Sequence, residues 1–189
     1  MLGADTAAIV RVNYFGAVAT LDGLRPLLAT SEAPRAVATV STALLQEVDD
    51  AVVAHCLAGG EAEAVAAVEE QALDPLRTYA STKRALARWV RARSVEAGWA
   101  GAGIALNAVA PGVVRTPMTA PLLADPTTTD LLLEMVPMPL GGVTDAAPIA
   151  ALLAFLASAD LGAVTGQVVF ADGGGECLQR GEDPWLHPR

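Results

Sequence analysis

Tyr79-Ala80-Ser81-Thr82-Lys83 is the stretch on which the reading of this chain turns. It runs on as Arg84-Ala85-Leu86-Ala87-Arg88-Trp89-Val90 and meets no glycine or proline before Gly98, so the spacing predicts a helix. Residues four apart stand one above the other on a helix, which puts the Tyr79 phenol and the Lys83 ammonium on one face. A free phenol loses its proton only near pH ~10. A neighbouring ammonium favours the phenolate and is expected to lower that pKa toward the range useful for acid/base chemistry. Tyr-x-x-x-Lys also arises by chance as a surface pair, so the rest of the chain has to decide.

Working outward, short apolar runs alternate with helical stretches. Upstream, residues 4–29 read as one long helix with Pro26 near its end and Asn13 among apolar neighbours. Arg35-Ala36-Val37-Ala38-Thr39-Val40-Ser41 reads as a strand covered on both faces, with Ser41 at its carboxyl end. Between Ser41 and Tyr79, two helices are expected over 44–58 and 61–72, parted by Gly59-Gly60 and closed by Asp74-Pro75. Their acidic residues read as a solvated face.

Downstream, Ile104-Ala105-Leu106-Asn107-Ala108-Val109-Ala110 reads as a second buried strand, ending in Pro111-Gly112-Val113-Val114-Arg115-Thr116-Pro117. Residues 118–142 read as a mobile, lid-like loop with a short helix over 129–135. A compact apolar helix is expected over 148–158, and a third strand, Val168-Val169-Phe170-Ala171, runs into Asp172-Gly173-Gly174-Gly175. Strands alternating with helices indicate a parallel α/β sheet. The chain is read as a single domain over 1–189, with a helical insertion at about 43–75, a substrate loop at about 118–142 and a polar tail over 176–189 whose Trp185 is given no role.

Composition narrows the function. With 189 residues, 53% hydrophobic and 4% aromatic, the core must be built from alanine, valine and leucine. A net charge of -9 argues against a nucleic-acid partner, and Arg84, Arg88, Arg91 and Arg93 read as a solvated helix face. The apolar run over 146–157 is too short to span a bilayer. Two isolated cysteines, Cys56 and Cys177, make no disulfide framework, and no signal-type segment starts the chain, so a soluble cytoplasmic protein is expected. His55 and His187 have no ligand-spaced companions, so no metal centre is expected.

Taken in order, Asn13-Tyr14-Phe15-Gly16, the strand-ending Ser41, Tyr79-x-x-x-Lys83, Asn107 before Ala110-Pro111-Gly112, Thr116, and Thr165-Gly166-Gln167 leading to Asp172-Gly173-Gly174 resemble the short-chain dehydrogenase/reductase family. The insertion before Tyr79 is similar to that of its 3α-hydroxysteroid dehydrogenase/carbonyl reductase branch. The resemblance implies the carboxyl-terminal part of a Rossmann-like doubly wound parallel sheet, about three strands with flanking helices. It implies an oxidoreductase that uses NAD or NADP to interconvert a small-molecule carbonyl and a secondary alcohol. Tyr79 would be the acid/base, Lys83 would lower its pKa and bind the nicotinamide ribose, Ser41 would hydrogen-bond the carbonyl, and Asn13 would hold a relay water. Pro111, Gly112, Val114 and Thr116 would line the cofactor.

The sequence also departs from the family. The Thr-Gly-x-x-x-Gly-x-Gly turn and the Asn-Asn-Ala-Gly turn do not occur in it. Met1 falls near the family's fourth helix, so the first three to four strands are expected to be missing and the strand around Val37 to have an open edge. Activity of this chain alone is therefore in doubt on this reading, and a non-catalytic interaction module is the alternative. A homo-oligomer is expected. Because the insertion could obstruct the first helix and the Tyr79 helix, its contact face would be the Pro148 helix and the last strand.

Overall fold

The computed structural model describes residues 5–184, so Trp185, His187 and the expected helix start at residue 4 lie outside the described residues. Three parallel strands, β1 (Arg35–Thr39), β2 (Ala105–Pro111) and β3 (Val168–Ala171), form a sheet in the order β1-β2-β3. Val37 stands opposite Asn107, and Val109 opposite Val169. The strand alternation sorts side chains to two sides. Ala36, Ala38, Leu106, Ala108 and Phe170 pack with the helices that precede β2, whereas Val37, Val109 and Val169 pack with Ile149 and Leu156 of the apolar helix beyond it. The sheet is thus covered on both faces, which is why its strands read as continuous apolar runs.

Hydrogen bonds from Val40 N–H to Val109 O and from Ala105 N–H to Pro34 O fix which peptide groups of β1 face β2. By alternation, those of Val37 and Thr39 point away from it. Among the described residues β1 pairs only with β2, so that outer edge is open.

The first helical segment is not the continuous α-helix expected. It runs as α1 (Thr6–Val10), a π-helical turn (Arg11–Gly16) and α2 (Ala17–Leu28), with Asn13 inside the wider turn. The insertion also starts later than expected. Residues 42–45 form a 3-10 turn, and α3 (Asp50–Ala58) begins only where the Asp49 carboxylate accepts the Val52 N–H at 3.0 Å. Gly59, at φ 81°, ends α3, and α4 (Glu61–Glu70) follows. Val52, Val53, Cys56, Ala64, Val65 and Val68 are buried there, and the two helices lie against α1 and α5 (Pro75–Arg93). Most acidic residues of the insertion are exposed, as expected, but Asp49 is a buried cap.

Asp74 caps α5 by accepting the Leu76 and Arg77 N–H groups, with Pro75 in the first turn. Residues 118–142 hold two helices rather than one, α6 (Ala120–Leu123) and α7 (Pro126–Met135), the latter capped by Asp125. Hydrogen bonds from Thr128 hold the Asp125 carboxyl below its ordinary pKa. The apolar helix is α8 (Ala146–Leu156), and the segment expected as an unstructured tail begins with α9 (Gly175–Arg180). The α9 turn is built by Asp172, whose carboxylate accepts the Gly174 and Glu176 N–H groups at 3.1 and 2.7 Å. No helix among the described residues is long and apolar enough to cross a membrane.

Candidate active site

The carboxyl ends of the strands carry the site. Ser41 follows β1 in extended backbone (φ -165°, ψ 153°), and its Oγ accepts the Ala43 N–H at 3.2 Å, which orients the hydroxyl as the cap of the 3-10 turn. The turn is held from three directions. Thr42 donates to Pro111 O at the end of β2 (3.2 Å), Arg84 of α5 donates through Nε to Leu44 O, and Gln46 Nε2 donates to Met135 O at the end of α7 (2.9 Å).

Facing that turn, α5 presents Tyr79 and Lys83. Ser41 and Tyr79 are hydrogen bonded through their side chains, and Lys83 Nζ lies 5.6 Å from the centroid of the Tyr79 ring. The electrostatics differ from the expected pairing. Burial raises the Tyr79 pKa above the ordinary phenol value, and the Ser41 hydrogen bond partly opposes the rise. Burial also pulls Lys83 down, from 10.5 to about 8. Lys83 donates to Thr39 O at 3.0 Å, so its ammonium is directed at the open edge of β1 rather than at the phenol oxygen. The phenol therefore stays protonated at neutral pH.

The third wall is the turn after β2. Gly112 donates to Ala171 O at 3.1 Å and packs so closely that a Cβ there would lie 2.9 Å from Met138 Sδ and 3.1 Å from the Asp172 Cα. Met138 Sδ in turn accepts the Val113 N–H at 3.1 Å. Thr116 is engaged locally with Thr119, their hydroxyls 3.2 Å apart. Val114 bridges to Thr144 in a short parallel pairing.

A cleft of about 510 Å³ opens between these elements. Ser41, Tyr79 and Gly112 line it together, with Val113, Leu76, Met118, Leu122, Leu132 and Met135 forming largely apolar walls. Three of the expected site residues thus share one cavity. Lys83, Pro111, Val114 and Thr116 stand beside it rather than in its lining. Asn13 is half-buried in the π-helical turn that packs against α5, also outside the lining.

Several roles were not foreseen. The α5 arginines are not a uniformly solvated row: Arg84 holds Leu44 O, Arg91 donates to Gly166 O at 3.3 Å, and Arg93 pairs with Glu96 at 2.9 Å, while Arg88 is exposed. Asn107, buried in β2, donates to Val164 O at 2.9 Å and accepts the Gln167 N–H at 3.0 Å. Its amide clamps the Thr165-Gly166-Gln167 turn and lies away from the cleft lining.

A family model described as enoyl-(acyl carrier protein) reductase matches residues 36–176. With the ordered motifs and the parallel sheet, this places the chain in the short-chain dehydrogenase/reductase family of oxidoreductases, to which it belongs. It is similar to the 3-alpha-hydroxysteroid dehydrogenase/carbonyl reductase of Comamonas testosteroni, 35% identical over 175 residues, which cover 91% of this chain and 67% of that protein. Galactitol 2-dehydrogenase (L-tagatose-forming) of Cereibacter sphaeroides is 39% identical over 97 residues, covering 51% of this chain and 37% of its own length. The crystal structure of the 3-alpha-hydroxysteroid dehydrogenase from Pseudomonas sp. B-0831 complexed with NADH superposes with a TM-score of 0.82 at 37% identity, covering 94% of this chain and 69% of that one.

Proposed function

We propose that this chain carries the reaction centre of an NAD- or NADP-dependent oxidoreductase that interconverts a small-molecule carbonyl and a secondary alcohol, of the hydroxysteroid dehydrogenase/carbonyl reductase kind. The observation that carries the reading is the hydrogen bond between Ser41 and Tyr79 at the wall of an apolar cleft that ends on Gly112. The complexes of similar proteins with NADH (37% identical) and NADP (25% identical) support the choice of cofactor.

The residues present fit the nicotinamide end of such a cofactor. The Gly112 to Thr116 turn offers backbone groups and a hydroxyl at the carboxyl edge of the sheet, and Lys83 offers a half-buried donor for ribose hydroxyls. Pro111, Gly112, Val114 and Thr116 would line it with Tyr79 and Lys83. When bound, the cofactor supplies or accepts the hydride at the carbonyl carbon. Ser41 donates a hydrogen bond to the substrate oxygen and stabilises the charge that develops there. Tyr79, held protonated by burial, gives that oxygen its proton in the reductive direction and takes it back in the oxidative one. Lys83 must turn from Thr39 O toward the ribose for this, and Asn13, in the π-helical turn beside α5, holds a water that links Lys83 to solvent. The apolar walls suit a bulky, uncharged carbonyl compound, and the two free cysteines, one of them exposed, suit a reducing, cytoplasmic setting.

The test is reduction of a ketone or aldehyde by the protein with NADH or NADPH, compared with Tyr79→Phe. The variant is expected to lose roughly 10²–10⁴-fold in kcat/KM while cofactor fluorescence on binding persists. Turnover retained in Tyr79→Phe would sink the assignment.

One observation favours a second reading, an interaction module. Helix α8 is apolar yet buries only Ile149 and Leu156, leaving Phe155 55% exposed. Since α3 and α4 cover α1 and α5, the α8 and β3 face is the proposed contact of a homo-oligomer. A dimer by light scattering, broken by Phe155→Glu and indifferent to cofactor, would favour this reading.

A further inference from the structure

The face of α5 that carries Arg77, Ser81 and Arg84 is distinct from the one that carries Tyr79 and Lys83, by the helical period. All three grip the backbone downstream of Ser41. Arg77 donates to Val48 O at 3.4 Å, Ser81 Oγ accepts the Asp49 N–H at 2.8 Å, and Arg84 Nε donates to Leu44 O. Of the three, Arg84 acts nearest the hydroxyl. Leu44 N–H is bonded to Ser41 O and Gln46 N–H to Ala43 O, so the 3-10 turn uses those carbonyls and leaves the Leu44 carbonyl at its end. Arg84 supplies the missing donor from a half-buried position on the helix that also bears Tyr79.

We infer that Arg84 is a positioning residue: by holding the Leu44 carbonyl it locks the turn that starts at Ser41, and so sets the approach of the Ser41 hydroxyl to the Tyr79 phenol. One helix thereby fixes both partners, the phenol directly and the hydroxyl through its turn. The inference rests on the reading of Ser41 and Tyr79 as the reacting pair for its relevance, but its geometry does not require cofactor or turnover.

Only two tyrosines occur in the chain, so Tyr14→Phe leaves Tyr79 as the single phenol. Labelling that background with a fluorinated tyrosine, whose phenol titrates nearer neutrality, allows the Tyr79 titration to be followed by 19F NMR. Because the Ser41 hydrogen bond lowers the phenol pKa, Ser41→Ala is expected to move the titration up. Arg84→Met is expected to move it up by the same amount, and the double variant no further. Arg84→Lys keeps the charge but loses the Nε donor and should show a smaller rise that vanishes when Ser41→Ala is added. An unchanged titration in Arg84→Met, or rises that add in the double variant, overturns the inference. If Arg84→Met does not fold, the Arg84→Lys comparison decides: no rise, or a rise that survives Ser41→Ala, overturns it equally. Catalytic inactivity with these shifts intact would sink the functional reading and leave the positioning role standing.

Discussion

The Lys83 ammonium is held at 3.0 Å by the carbonyl oxygen of Thr39, a peptide group on the unpaired side of β1. The lysine at the candidate reaction centre therefore also satisfies one acceptor of an open sheet edge. Its burial has a measurable consequence.

Lys83 is lowered from 10.5 to about 8 in the folded chain, while the unfolded chain keeps the ordinary value. Between those two values the unfolded state binds more protons, so this group makes stability rise with pH; below pH 8 its burial penalty is fully present. Cys56 and Tyr14 are raised to about 12 from 9.0 and 10.0, and they act in the opposite sense as pH climbs above 9. The rise due to Lys83 is therefore concentrated between pH 8 and 9. Urea midpoints across that interval should climb in the parent and stay flat in Lys83→Met. Parallel slopes would show that the lysine is not their source.

Helix α7 buries none of its own residues, yet Leu132 and Met135 line the cleft. Its carboxyl end is tied to the Ser41 turn by Gln46 Nε2 on Met135 O at 2.9 Å, and Gln46 also reaches Gln179 of α9 at 3.4 Å. A hydrogen bond of this kind contributes about 1 kcal/mol, so Gln46→Ala should speed proteolytic cleavage within residues 118–136 roughly fivefold. Cleavage at the parental rate would show that other contacts hold α7 down.

Asn107→Leu keeps the volume of a buried side chain and removes both bonds to the 164–167 turn. The Gln167 N–H and Val164 O lose their partner, a cost of about 1–3 kcal/mol. For a chain of this length each kcal/mol lowers Tm by about 2–4 °C, which calorimetry resolves. A Tm within a degree of the parent would mean the turn finds another partner.

The strands were legible because burial on both faces leaves an uninterrupted apolar signature. The third lies over Val168–Ala171 as expected, and the other two are displaced by no more than two residues at either end. What escaped were features set by tertiary surroundings or by backbone winding. Nothing in Arg11-Val12-Asn13-Tyr14-Phe15-Gly16 distinguishes a π turn from an α turn. The delayed start of α3 was recoverable, since Asp49 stands just before an apolar run in the manner of a cap, but alanine and leucine upstream carry equal helix propensity. The Tyr79 pKa went the other way because desolvation, which sequence spacing cannot register, outweighs a cation that has turned to Thr39. Arg84 looked like surface charge because its acceptor, Leu44 O, is a peptide group forty residues away.

The wider turn at Arg11–Gly16 sets the phase between the two halves of that helix. Removing a single residue there would restore ordinary winding and rotate everything on one side of the cut by about 100° relative to the other. Asn13 would swing away from α5, and Val10 would leave the core it now fills. A one-residue deletion in this short stretch is thus a sharper perturbation than most substitutions, because it misaligns two packing faces in one stroke.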